Sequence, residues 1–481
     1  LAKIGMLDAL SMSSYPPGVT RDADIAGVRA GFAELPPDTE TGVVVSVVGR
    51  ARGVRDFGGL VFVDLAESGA RIQAMFDAAQ SDPGAHTALR VGVDIGDLIS
   101  VTGQVCTTRT GELSILVRRW QMAAKCISPV PAPGAELTDE VRTRNRTLEL
   151  LTDFSATELL VQRSCGVLAL RNTLQEAGFL EVETPILQTV HGGAAAHPFT
   201  THINAYDMPL TLRIAPELYL KRLVVAGMPR IYELGRNFRN EGADATHNPE
   251  FTALEVYQAY ADYRVMARLA RELIVAAAVA VNGAPVAKRR GGTVDLTGEW
   301  PEITVHQAVS LATGVPVTAG TGAAQLAEIC RDHTVEVAPD ASAGQLVMKL
   351  YEALVEKQTV TPTFYYDFPV EVSPLARPHR DDPRLTEHWD LVAFGAEVGT
   401  AYSELTDPVD QGERLLAQSF AAAGGDPEAM AFDDDFVRAL GYGMPPTGGL
   451  GLGVDRLMMM LTDVPIRRTL TFPFVKPLDN T

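Results

Sequence analysis

Arg239 closes the segment RIYELGRNFR, and Arg456 stands in GLGVDRL, where a strand gives way to a helix. A guanidinium grips phosphate oxygens with two parallel N–H bonds and never loses its charge. Two of them could clamp a triphosphate from opposite ends, although a lone arginine is more often a surface or salt-bridging residue. Asp390 and Glu397 in DLVAFGAE add carboxylates. Beside phosphates these would bind Mg²⁺, which takes one or two carboxylates plus phosphate oxygens; elsewhere they are an ordinary solvated pair. Glu255 shares a strand face with Phe251 and Tyr257, while Leu254 and Val256 face the other way. Burying that carboxylate unpaired is costly, so an Arg, a Lys or a cationic ligand must meet it. There is no Walker A or GxGxxG loop, so nucleotide chemistry must use side chains.

The elements that position these groups follow from the pattern. Residues 230–239 read as a strand, 240–250 as a polar loop marked by Gly242 and Asn248-Pro249, and 251–260 as a second strand. Upstream, SATE reads as a capping box opening a long helix, with Ser155 as N-cap, Phe154 and Leu159 as a staple, and Gly178 as its end. FLEVETPIL follows as a strand stopped by Pro185. Residues 264–300 read as a helix and an irregular connection, 301–360 as a helical insertion, and strands return at TFYYDFP, DLVAFGAEVGTAYSEL and GGLGLG. Hairpins rather than regular βαβ repeats imply an α+β domain on a mostly antiparallel sheet. Residues 42–126 read as five short strands with a helix near 82–89, which suits an OB-fold or another small barrel. Residues 1–41 read as a poorly ordered leader with one short helix, and 127–150 as a linker with Pro and Gly early.

Composition narrows the class. At 481 residues the chain has room for roughly three domains of about 150 residues. Its longest apolar run, 273–281, falls short of the roughly 20 residues that span a bilayer, and no signal peptide is visible. Cys106, Cys126, Cys165 and Cys330 are scattered without a CxxC pair, which favours a reduced, cytoplasmic setting with no zinc site. The first residue is Leu1 rather than Met, as expected of a piece of a longer protein. A net charge of −19 excludes indiscriminate nucleic-acid binding. Residues 42–126, however, carry nine Lys and Arg against eight Asp and Glu, as a part meeting RNA should.

The run FRNEG, then HNPEFT, then a Glu two residues before a Tyr, resembles motif 2 of the class II aminoacyl-tRNA synthetases in its lysyl form. The long helix with its Pro-ended strand resembles motif 1, the dimer seam of that class, and GGLGLGVDRL resembles motif 3. GRxxxxRDFGGLVFVDL, RIQ and TRTGELSI resemble the OB-fold anticodon-binding domain of the aspartate-lysine-asparagine subclass. The resemblance covers about residues 42–475. It implies a leader (1–41), an N-terminal OB-fold barrel (42–126), a linker (127–150) and a class II catalytic domain (151–481).

Roles follow from the resemblance, residue by residue. Arg239 meets the α-phosphate and the substrate carboxylate, Arg456 the γ-phosphate, and His247 the outer phosphates. Phe251 stacks on adenine, Glu241 and Asn248 read its edge, and Gly453 completes the ATP site. Asp390 and Glu397 hold Mg²⁺, with Glu397 also against ATP. Gly193, Glu217, Glu255, Tyr257, Thr400, Tyr402 and Glu404 surround the amino acid together with Arg239. Glu217 and Gly193 face the α-ammonium; Glu404 and Tyr257 face the ε-ammonium. Three carboxylates select a dibasic guest. A site of buried polar groups rejects ligands lacking the partner by about 10⁴–10⁵. In the barrel, Phe62 stacks on an anticodon base while Gln73 and Glu112 bond base edges; the alternative is that Phe62 is barrel core. Asp390 stands where the family usually has Glu, and Thr400 where it usually has Asn. RTLEL replaces a more regular RYLDL-type segment, and the basic leader helix of the family is missing.

The implied activity is ATP-dependent activation of L-lysine and transfer to tRNA(Lys) by a homodimer. A narrower resemblance is to the synthetase-like portion of actinobacterial proteins that fuse a membrane lysylphosphatidylglycerol synthase to a lysyl-tRNA synthetase; this segment itself would not touch the membrane. Two alternatives stand beside it. A non-catalytic tRNA-binding module would tend to lose its ATP ligands, and an enzyme lysylating a protein side chain would lack the OB domain.

Overall fold

A computed structural model of the chain describes residues 2–80, 83–131, 135–423 and 429–477. The chain forms two compact units, 1–157 and 158–481.

The first unit is a closed barrel in the order Glu40–Asp56, Leu60–Glu67, Ala70–Asp77, Leu113–Ala124, Leu98–Thr107, the OB-fold arrangement. Alternation builds it: Val61, Val63 and Leu65 fill the interior, whereas Phe62 and Asp64 between them stay partly exposed. The helix Pro83–Gly92 connects Ala70–Asp77 to Leu98–Thr107. The leader is not the loose segment expected. It carries the helices Ala2–Ala9 and Ile25–Gly31, and Leu7, Ile25 and Val28 complete the barrel's apolar cluster. Part of the expected linker, 132–134, lies outside the described residues. After it come two short helices, Asp139–Arg144 and Arg146–Thr152, the second closed by a buried Arg146–Glu149 ion pair at 2.6 Å.

The long helix runs Phe154–Glu176. Asp153, not Ser155, caps it: the Asp153 carboxylate accepts the Ser155 N–H at 3.0 Å and the Ser155 hydroxyl at 2.6 Å. Gly178, at φ +79°, follows its end.

The second unit is built on an eight-stranded sheet. Its order is Glu302–Thr304, Thr363–Tyr366, His388–Ala393, Ala396–Ser403, Thr447–Gly453, Glu250–Ala259, Arg230–Phe238, Leu180–Glu181. Neighbours are antiparallel except at the two edges, where the pairing is parallel. One face buries Leu254, Val256, Leu391, Leu450 and Leu452 against the helices Tyr263–Asn282 and Val454–Thr462. Because side chains alternate, the polar residues between them project from the opposite face. The helical insertion (Val305–Thr313, Ala323–Asp332, Ala343–Leu354) has an apolar cluster of its own. The connection expected to be irregular contains a hairpin, Val286–Arg289 with Gly292–Asp295. Its two-residue turn, Arg290-Gly291, is possible because Gly291 adopts φ +90°. Among the described residues no helix is long and apolar enough to cross a membrane.

Candidate active site

Two lateral rows of the sheet's open face make the floor of the site. One runs Glu233, Glu255, Gly451, Thr400, Asp390 across five strands; the next runs Tyr257, Gly449, Tyr402, His388. The glycines of Thr447–Gly453 keep the middle open. A Cβ on Gly449 would lie 1.9 Å from Glu404 Oε1 and 2.8 Å from the Tyr257 ring. The cavity above has a volume of about 390 Å³. Every residue expected around ATP, the amino acid or Mg²⁺ lines it, although they come from segments as distant as Gly193 and Arg456.

The amino-acid side holds a cation that the sequence reading missed. Lys221 is fully buried, one turn beyond Glu217 on the helix Glu217–Val225. Its Nζ lies 2.6 Å from Glu217 Oε1 and 2.5 Å from Glu404 Oε2. The second contact is an ion pair by distance, without a well-aimed hydrogen bond. Burial works against the Lys221 ammonium, but the two carboxylates outweigh it and raise its pKa. Two of the three carboxylates thus share a resident ammonium rather than awaiting a guest alone. What is left is still acidic. Glu404 Oε1 is buried with no hydrogen-bond partner. Burial pushes the Glu404 carboxyl up while Lys221 pulls it back. Glu255 has no ion pair among the described residues and takes one hydrogen bond, from the Tyr257 hydroxyl at 3.3 Å. Burial, with Glu217 adding repulsion, pushes its carboxyl up to about 8. Once all three are ionised, three carboxylates against one ammonium leave two negative charges for a guest to match. Gly193 closes this side at φ +89°, where a Cβ would press on Glu217 Cβ at 3.0 Å. The Thr400 hydroxyl is not free: it lies 3.0 Å from His388 Nε2.

On the nucleotide side, the Arg239 guanidinium lies 5.1 Å over the Phe251 ring. It has no ion pair among the described residues, and its buried Nε has no partner. Arg456 donates from Nη1 to the Glu397 carbonyl at 2.9 Å and from Nη2 to His247 Nε2 at 3.1 Å. His247 Nδ1 faces Asp244 at 3.0 Å, which fixes the proton on Nδ1. Gly453 is the N-cap of the helix Val454–Thr462, so its open N–H groups favour an anion beside Arg456. Asn248 is already engaged, donating to the Glu250 carbonyl at 2.5 Å and accepting from Phe474 N–H at 3.4 Å. Glu241 is exposed at the cavity.

Asp390 and Glu397 meet the requirement for a hard cation. The Glu397 side chain keeps 39 % of its surface and borders the cavity. Burial and the Asp390 charge both push its carboxyl up, and Arg456, 3.6 Å away, opposes them only in part. No three His, Cys, Asp or Glu side chains among the described residues cluster to hold a metal by themselves. Mg²⁺ at this pair would complete its shell with phosphate oxygens and water.

Other residues were not legible. Asn237 Oδ1 is buried at the cavity without a partner among the described residues. Arg163 of the long helix lies 2.5 Å from Asp455 Oδ1 and donates to the Thr252 hydroxyl at 3.1 Å, while Asp455 accepts the Thr252 N–H at 2.8 Å. Helix, hairpin strand and the element carrying Arg456 are thereby tied. Lys221 had a signal, its i,i+4 spacing from Glu217; the others had none.

In the barrel unit, Phe62 lies outside the apolar cluster, so it is not core. Its ring meets Phe57 edge-on at 6.1 Å, and the Arg55 guanidinium lies 5.8 Å away. Gln73 Oε1 accepts from the Ser114 hydroxyl at 3.0 Å, and Glu112 is exposed.

Residues 138–476 match the family of class II tRNA synthetases (D, K and N). The chain belongs to the class II aminoacyl-tRNA synthetases. Residues 45–123 match the OB-fold nucleic acid binding domain, the anticodon-binding partner of this synthetase architecture. The chain is 49 % identical to the lysylphosphatidylglycerol biosynthesis bifunctional proteins LysX of Mycobacterium marinum and Nocardia farcinica, and 50 % identical to that of Mycolicibacterium gilvum. Each match covers 99 % of this chain but only 43 %, 42 % and 43 % of the relatives, so the chain spans less than half their length.

Proposed function

We propose that this synthetase activates L-lysine with ATP and transfers the lysyl group to tRNA(Lys). The observation that carries the reading is the unmatched charge. Among the described residues Glu255 has no ion pair and Glu404 Oε1 no hydrogen-bond partner, beside a guanidinium, Arg239, that has no ion pair either. Lysine brings two ammonium groups for the two surplus negative charges and one carboxylate for Arg239. An aspartate or asparagine guest would leave those carboxylates facing repulsion or nothing. The two steps then need little acid–base help. The lysine carboxylate is ionised at neutral pH and attacks the ATP α-phosphate directly, so no general base is required. Arg239 and the donors near Arg456 stabilise charge on the phosphates as pyrophosphate leaves. Mg²⁺ bound at Asp390 and Glu397 would neutralise phosphate charge. The lysyl-adenylate passes its acyl group to the terminal ribose of tRNA. The names of the LysX relatives suggest a use for the product: lysyl-tRNA made here would supply lipid lysylation by another segment of a longer protein.

The test is lysine-dependent ATP–pyrophosphate exchange across a panel of amino acids. Lysine alone should support it, and Arg239→Ala should lower it by at least about 10²-fold, the scale of losing a transition-state donor. Exchange with no amino acid, or near-normal exchange in Arg239→Ala, would overturn the reading. The first of those results would favour a non-catalytic tRNA-binding module.

A further inference from the structure

We propose that His388 is a positioning residue that ties the cation side of the cavity to the amino-acid side. What the two sides bind rests on the lysine-activation reading; the tie itself rests on geometry. His388 is 8 % exposed and sits in the floor beside Tyr402. Its ring stacks on Phe368 at 3.8 Å and 24°, and Tyr402 meets it edge-on at 4.6 Å. Nδ1 lies 3.0 Å from the Ser373 hydroxyl. Nε2 lies 3.0 Å from both Asp390 Oδ1 and Thr400 Oγ1.

The Asp390 carboxylate can only accept, so the ring carries a proton on Nε2, whichever way Nδ1 and the Ser373 hydroxyl share theirs. That N–H donates to Asp390 and is shared with the Thr400 oxygen, while the Thr400 hydroxyl points to the Trp389 carbonyl at 3.4 Å. The Asp390 carboxylate makes no other hydrogen bond among the described residues. A single N–H therefore fixes the carboxylate assigned to Mg²⁺ and the hydroxyl assigned to lysine, and the same ring supports Tyr402. Partners that orient a metal-binding carboxylate typically change metal affinity by about 10- to 100-fold when removed. If His388 only filled space, the apolar contacts with Phe368 and Tyr402 would be its whole role.

His388→Phe separates the two, since it keeps an aromatic ring and loses the N–H; His388→Gln restores an N–H near the Nε2 position. Two readouts are needed on the full chain: the lysine KM in pyrophosphate exchange, and binding of Mn²⁺·ATP by water-proton relaxation, which needs no turnover. His388→Phe should weaken both by about tenfold or more, and His388→Gln should recover most of each loss. An unchanged Phe variant, a loss confined to one side, or a Gln variant no better than Phe overturns the proposal. His388→Leu replaces Phe in the comparison if circular dichroism shows that the Phe variant does not fold. Should the wild type activate no lysine, the lysine reading fails, and the Mn²⁺·ATP arm still decides whether His388 holds Asp390.

Discussion

Glu255 is the most exacting residue in the cavity, because its protonation changes when a guest arrives. Burial first, then the Glu217 charge, pushes its carboxyl up to about 8, so at pH 7 the empty pocket holds it mostly protonated. An ammonium guest needs the ionised form and expels the proton. Lysine keeps both ammonium groups across this range, so affinity should climb as pH rises from about 6 to 8, by up to about tenfold per unit for each buried carboxyl that must ionise, and then level off. The effect on folding has the opposite sense. A carboxyl whose folded pKa lies above its unfolded value near 4.5 makes the folded state hold the extra proton, so its contribution to stability falls as pH rises from about 4.5 to 8. Calorimetry of lysine binding at pH 7 in buffers of different ionisation heat should show release of close to one proton from this carboxyl. Glu255→Gln should remove most of it, any remainder reporting Glu404. Identical heats in all buffers would rule this out. At this scale the sequence revealed which residues could do chemistry, because arginines and carboxylates in hairpin contexts are conspicuous. It did not reveal which were already paired. His388 acts through neighbours brought in by strand register, which local spacing does not show; Lys221 left a local sign, its i,i+4 spacing from Glu217, but its second partner Glu404 comes from a distant strand end.

Elements position the chemistry through a few buried ties. The long helix reaches the site through Arg163, which holds Asp455 one residue before Arg456. Breaking a buried ion pair by removing one partner costs about 3–5 kcal/mol, since a bare charge stays behind. Arg163→Met should therefore lower stability by about that much in urea unfolding, and Arg163→Met/Asp455→Asn should recover part of it by removing the stranded charge. A single variant within about 1 kcal/mol of wild type would show the pair to be incidental. The hairpin and the helical insertion were readable because their apolar periods are regular. The helix start was misread by the Ser155 signal because Asp153, a stronger acceptor, takes both the N–H and the hydroxyl of Ser155. The leader was misread because its few apolar residues become core only once a barrel offers them a place.

At the scale of the whole chain, the proposed function divides the work between the two units, one reading RNA and one making the acyl bond. The near-neutral charge balance of residues 42–126 fits RNA better than the rest of an acidic chain does. Phe62 stands outside the barrel core with Phe57, 71 % exposed, and the Arg55 guanidinium around it. An outward ring beside a cation is a platform for an unpaired base, whose stacking is worth about 1–3 kcal/mol. Phe62→Ala should then raise the tRNA KM in aminoacylation by about 5- to 150-fold, that free energy expressed as a ratio. Amino-acid activation needs no tRNA in the proposed first step, so lysine-dependent pyrophosphate exchange without tRNA should not change in the same protein. Equal losses in both assays would mean that Phe62 supports the fold rather than the RNA. An unchanged tRNA KM would mean that the base is read elsewhere on the barrel.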